Sequence, residues 1–261
     1  MYVSEIKEYQ YFAGGKWRAA ENKKLFDVFR PYDRSVYARA PAGGRAEAML
    51  AVEAAAKAFP AWSQTTPAER ARLFLKAAEI VKRRRTEIAD ILAVETGSTI
   101  SFATFQQDLV AATLEQAAGW MYLPKGEVLA TNFPGSHSIG VRRALGVVAS
   151  FTPWNGANVL SWRAVISPVA AGNTVVVKPS ELAPISAGLI LAGNTYRAFE
   201  LAPKILAGIV NVNSPTVNDE IHAPMGGVRD SGWGRTGPDS LKEFQDVIWI
   251  NSHSGQRQYP I

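Results

Sequence analysis

Three short segments carry side chains whose types and spacing could support chemistry. Phe151-Thr152-Pro153-Trp154-Asn155 follows a β-rich run and precedes a helical pattern. Ligands of open α/β sheets gather at the carboxyl ends of strands. An amide placed there, Asn155, can donate a hydrogen bond to a developing oxyanion. The same position equally suits a helix cap. In Val176-Val177-Lys178-Pro179-Ser180-Glu181 a strand ends at Lys178, and Pro179 breaks the ladder. Lys178 and Glu181 stand where a ribose or phosphate could be held, Glu181 accepting from sugar hydroxyls. Alternatively the stretch is a surface turn in which Ser180 or Glu181 starts the next helix. It lacks the GxGxxG spacing, so position alone is a weak nucleotide signal. The third segment, His222 to Arg235, holds four glycines, which implies close backbone packing or positive φ in a structural loop.

Cysteine is absent from the 261 residues. This excludes disulfides, thiolate metal sites and a cysteine nucleophile. His137, His222 and His253 are far apart and have no ligand spacing, so no metal site is expected.

The elements that must position these segments follow from pattern. Tyr11–Arg18 reads as a hairpin around Gly14-Gly15, and Leu25–Phe29 as an extended segment before Pro31. Arg45–Phe59 is Ala-rich and helical. Thr66 is the expected cap of a second helix, with Pro67 at its first position and Glu69 three residues on. A third helix covers Thr86–Thr96 and stops at Gly97, and a longer one spans Phe102–Met121. Beyond Pro124, Ser138–Val141 and Val147–Phe151 are β-rich, separated by Arg142-Arg143. Leu160–Ala171 is a helix closed by Gly172-Asn173, and Thr174–Val177 is a strand covered on both faces. Strand, helix and strand in so short a span make a βαβ unit with a parallel sheet. Ile209–Val212 and Val247–Ile250 read as later strands.

The formal charge of +5 is dispersed, apart from Lys82-Arg83-Arg84-Arg85. That run reads as a solvated helix face, so no nucleic acid partner is expected. No apolar stretch is long enough to span a membrane. Met1–Phe12 lacks the apolar centre of a secretory signal, which favours a cytoplasmic protein.

Together, FTPWN, AAGNTVVVKPSE and HAPMGGVRDSGWGR resemble the aldehyde dehydrogenase superfamily, in particular members acting on benzaldehyde-, salicylaldehyde- or vanillin-like substrates. The resemblance runs in two blocks. Residues 1–188 are similar to the family's N-terminal, cofactor-binding part, and residues 189–261 to its C-terminal end. The seam falls near Ile185–Gly193. The resemblance implies NAD or NADP as cofactor. By it, Asn155 matches the oxyanion-hole Asn, and Thr152, Pro153 and Trp154 the segment beside the nicotinamide half. Lys178 and Glu181, with Ser180 between them, match residues that hold the adenosine ribose. Gly156, Leu160, Arg163 and Met225 fall where the substrate tunnel is lined, Met225 replacing a more usual Phe. Arg163 reads equally as a surface helix arginine.

The family's mechanism needs a thiolate to attack the aldehyde, and a general base, usually Glu, to activate water for thioester hydrolysis. By the resemblance, the block that holds both is missing between the two parts. Missing with it are the helix start that receives the pyrophosphate and the segment that holds the nicotinamide ribose. An oxyanion donor is worth about 3–4 kcal/mol, but only when a nucleophile is there to be served. The expected fold is α/β: an incomplete Rossmann-like parallel sheet with flanking helices, plus a small antiparallel oligomerisation arm. The arm corresponds to residues 133–148 with the last strand at 247–251. The expected protein is catalytically inactive, binds NAD weakly or not at all, and forms homo-oligomers or hetero-oligomers through the arm. The alternative is a non-catalytic subunit that pairs with a full-length relative.

Overall fold

The computed structural model describes residues 6–132, 134–187, 226, 234 and 236–253. The expected strand at 209–212, most of the glycine-rich loop and Met225 lie outside the described residues.

The chain opens with short strands: β1 (Lys7–Glu8), β2 (Tyr11–Ala13), β3 (Lys16–Arg18), β4 (Leu25–Phe29) and β5 (Val36–Pro41). The hairpin β2–β3 turns through Gly14 and Gly15, both at positive φ. β5 pairs antiparallel with β4 and parallel with β1.

Four helices follow. In α1 (Arg45–Ser63), Glu47 accepts from the N–H of Gly44 at 2.6 Å and of Glu21 at 2.7 Å, closing the helix start. In α2 (Pro67–Arg83), the Thr66 hydroxyl accepts from the Glu69 N–H at 3.2 Å, as Thr-Pro-x-Glu implies. α3 (Arg85–Thr96) stops because Gly97 turns left-handed at φ 71°. α4 (Ile100–Trp120) is capped by Thr99 and packs against α2 and α3.

The chain then forms β6 (Gly126–Leu129), β7 (Ser136–Ala144), β8 (Val147–Phe151), α5 (Ala157–Ala170), β9 (Thr174–Lys178), α6 (Ser240–Glu243) and β10 (Gln245–His253). β8 and β9 pair in parallel around α5, which is the expected βαβ unit. Among the described residues this parallel sheet has two strands. α1 and α5 both pack on it. The main core lies where α5 meets α4 and α2, around Phe74, Ala78, Val110, Leu114, Ala117 and Ile166.

The antiparallel sheet has the order β10-β7-β6. Arg142-Arg143 do not interrupt its strand. β10 sets Asp246 opposite Arg143, and β6 sets Glu127 within 3.6 Å of Arg142, so each cation meets a carboxylate-bearing neighbour. Gly146, at φ 133°, then redirects the chain, and Val147-Val148 belong to the parallel sheet.

Candidate functional site

The site is built where β8 and β9 end side by side. Phe151 pairs with Lys178, and the Thr152 N–H donates to the Lys178 carbonyl at 3.1 Å. The two sequence segments singled out above are thereby joined. The Thr152 hydroxyl is buried and accepts from the Ser161 hydroxyl at 2.9 Å, fixing the strand end to the first turns of α5. Pro153, Trp154 and Asn155 follow as an exposed turn, with Trp154 45% accessible. Asn155 is not the helix cap. Gly156 takes that position, at φ −135°, and makes no side-chain bond. The Asn155 amide therefore stands at the sheet's carboxyl edge outside the helix.

Gly156 leaves room for its neighbours. A Cβ there would meet Leu160 Cδ1 at 3.2 Å and Val159 Cγ1 at 3.4 Å. Gly156, Leu160 and Arg163 recur at helical spacing and share one face of α5. Leu160 and Arg163 are half-buried.

Across the sheet, Lys178 Nζ meets Glu181 Oε2 at 2.9 Å. The Lys178 side chain is 12% exposed and that of Glu181 42%. The Ser180 hydroxyl accepts from the Leu182 N–H at 3.2 Å, so Ser180 shapes the turn. This ammonium–carboxylate pair fits a ribose, whose hydroxyls can be both donors and acceptors.

A pyrophosphate needs free N–H groups at a helix start. Among the described residues, the helix that starts here is α5, and its start is sealed. Ala157, Asn158 and Val159 are buried, and the Val159 N–H donates to Gln106 Oε1 at 3.4 Å. Asn158 Nδ2 donates to Gln107 Oε1 at 2.7 Å, and Gln107 Nε2 to the Ala103 carbonyl at 3.2 Å. Among the described residues, the strand ends thus fit the sugar of a dinucleotide and not its phosphates.

Four further residues support the site and were not signalled by residue type. Gln106 and Gln107 on α4 fix the height of α5. Asn173, fully buried, accepts from the Gly146 N–H at 2.9 Å and donates to the Pro168 and Phe244 carbonyls at 3.1 and 3.0 Å. It ties the entrance of β8 to the end of α5 and to β10. Glu95, 1% exposed, accepts from the N–H groups of Ile185 and Ser186, each at 2.7 Å, and from the Ser186 hydroxyl. It anchors the chain just beyond Glu181. Burial pushes the Glu95 carboxyl above the usual carboxylate range, against those hydrogen bonds. Among the described residues no cluster could hold a metal, and no helix is long and apolar enough to cross a membrane.

Comparison with known proteins shows what the chain is similar to. The model of the aldehyde dehydrogenase family matches residues 17–193 and again 186–250. A vanillin dehydrogenase of Pseudomonas sp. is 38% identical over 206 residues, which are 79% of this chain and 41% of that protein. A betaine aldehyde dehydrogenase of Bacillus subtilis is 32% identical over 218 residues, 80% of this chain and 43% of its own length. Among solved structures, an NAD-dependent benzaldehyde dehydrogenase from Corynebacterium glutamicum superposes with a TM-score of 0.66 at 34% identity, over 69% of this chain and 39% of that one. A salicylaldehyde dehydrogenase from Pseudomonas putida, solved with salicylaldehyde, gives 0.67 at 29% identity, over 70% and 38%. The chain therefore spans about two-fifths of the length of the relatives it matches.

Proposed function

The chain belongs to the aldehyde dehydrogenase family, and on that premise we propose that it is an incomplete member that does not oxidise aldehydes by itself. One observation carries the reading: none of the 261 residues is a cysteine. The family's reaction needs a thiolate on the carbonyl carbon before hydride can leave. Asn155 would then be an oxyanion donor without an oxyanion to serve. The two matches of one family model, meeting at residues 186–193, support a central block lost at that seam. A cytoplasmic location belongs to the same proposal.

When bound, NAD(P) supplies the hydride acceptor. Lys178 and Glu181 would hold its adenosine ribose, with Thr152, Pro153 and Trp154 nearest its other end. Because the described residues offer no seat for the pyrophosphate, binding would be weak or absent. What remains of the tunnel, Gly156, Leu160 and Arg163, suits aromatic aldehydes, the substrates named for several relatives. The test is NADH formation by the purified chain with benzaldehyde, vanillin and salicylaldehyde. The expected rate equals the blank. Turnover that survives removal of contaminating dehydrogenases would end this reading.

A second reading has its own support. The sheet β10-β7-β6 presents Val128, Trp249 and Ile250 to solvent, 81%, 68% and 47% exposed. Such a surface would let the chain act as a non-catalytic subunit of a full-length relative, or pair with itself. Co-expression with a complete aldehyde dehydrogenase and recovery of a mixed oligomer would favour this subunit role.

A further inference from the structure

Where the antiparallel sheet meets the helical body, a cavity of about 70 Å³ is lined by Arg70, Trp120, Lys125, Arg142, Lys242 and Gln245, among others. Four of these side chains are cations. Arg142 has Glu127 at 3.6 Å and Lys242 has Asp239 at 3.0 Å, both carboxylates standing on the exposed side. Arg70 and Lys125 have no carboxylate partner among the described residues.

Arg70 is the unusual member. It is 4% exposed, and a buried guanidinium without a counter-ion is costly. Its Nε and Nη2 groups donate to the Thr65 hydroxyl and to the Trp62 and Thr65 carbonyls, all neutral. Nη1 donates once, to the Ala170 carbonyl at 3.1 Å. One of its five N–H groups thus remains uncommitted. Trp120, 6% exposed, is a second orphan: its indole N–H is buried with no acceptor among the described residues.

The cavity therefore has excess positive charge, a buried indole N–H without an acceptor among the described residues and one guanidinium N–H beyond those Arg70 commits. At about 70 Å³ the space well exceeds the roughly 10–15 Å³ that a single water needs. We propose that it binds one small oxyanion, of the size and charge of inorganic phosphate. The Arg70 and Trp120 donors meet its oxygens from the body side, and Lys125 and Arg142 close over it from the sheet side. Because α2, α4, β7 and β10 all contribute lining residues, the bound anion locks the antiparallel sheet onto the body.

The test titrates the full chain with inorganic phosphate against sodium chloride at matched ionic strength. The readouts are the thermal midpoint and the indole resonance of Trp120, assigned with Trp120→Phe. The expected result is a saturable rise in midpoint and a shift of that one indole signal, with chloride doing neither. Lys125→Ala, at an exposed position, should weaken binding about tenfold, as losing one charge-assisted hydrogen bond implies. Two results overturn the proposal. One is chloride matching phosphate, which is mere screening. The other is wild-type protein of unchanged circular dichroism that shows no saturable response.

Discussion

Glu47 and Glu95 are both buried, 4% and 1% exposed, yet they couple folding to pH with opposite signs. The Gly44 N–H, then the Glu21 N–H, hold the Glu47 carboxyl below its ordinary value. Its folded form binds protons less tightly than the unfolded chain does. The stability it contributes is present above the unfolded pKa and is lost as pH falls through the folded one. Glu95 is raised, chiefly by burial, so the folded state binds the proton more tightly. Stability is greatest below its unfolded pKa and falls as pH climbs from there through the folded value. Urea midpoints across pH separate the two. Glu47→Gln should remove part of the loss on acidification. Glu95→Gln should flatten the decline on the alkaline side of the carboxylate range. A Glu95→Gln profile parallel to wild type would show that this carboxyl does not titrate with folding. At the strand ends, the meeting of the Asn155 segment with the Lys178–Glu181 segment was legible from the βαβ pattern. Gln106 and Gln107 were not, because a glutamine inside a helix gains its role only from what buries it.

Helix ends were the most legible elements, since their chemistry is local. Thr66-Pro67 and Gly97 fall where the caps form. Thr66→Ala should cost about 1 kcal/mol. Gly97→Ala should cost about 1 kcal/mol or more, because it puts a side chain at φ 71° and within 3.3 Å of Pro31 Cβ. Chemical denaturation of each variant measures both, and a neutral Gly97→Ala would mean that the turn relaxes freely. The βαβ unit was legible too, from the Val-rich run before Lys178. β5 and β6 were not. Val36–Pro41 ends in a proline and contains Arg39, and it becomes a strand because β1 and β4 flank it. Strand formation depends on partners distant in sequence, which no local pattern supplies. The Arg142-Arg143 pair misled for the same reason: the carboxylate-bearing residues beside it lie on other strands.

At the scale of the molecule, the described residues hold a well-packed helical core beside a parallel sheet of two strands, where Phe151 is 71% and Leu182 58% exposed. The antiparallel sheet adds more apolar surface, and its register shows how that surface is organised. Val128 faces Ile139, and Ile139 faces Ile250. The three side chains form a row across β6, β7 and β10, exposed by 81%, 37% and 47%. Directly opposed residues on adjacent strands point to the same face, so the row is continuous. On the proposal that this sheet mediates association, the row is where a contact would bury most apolar surface. Placing a carboxylate in its centre opposes burial strongly while leaving an exposed strand position intact. Ile139→Asp should therefore lower the mass of the purified protein in light scattering, with its circular dichroism unchanged. Ser252→Asp, at an exposed position on β10 outside the row, should leave the mass as it was. A wild-type chain that is already monomeric at the highest soluble concentration would remove the basis for self-association through this sheet.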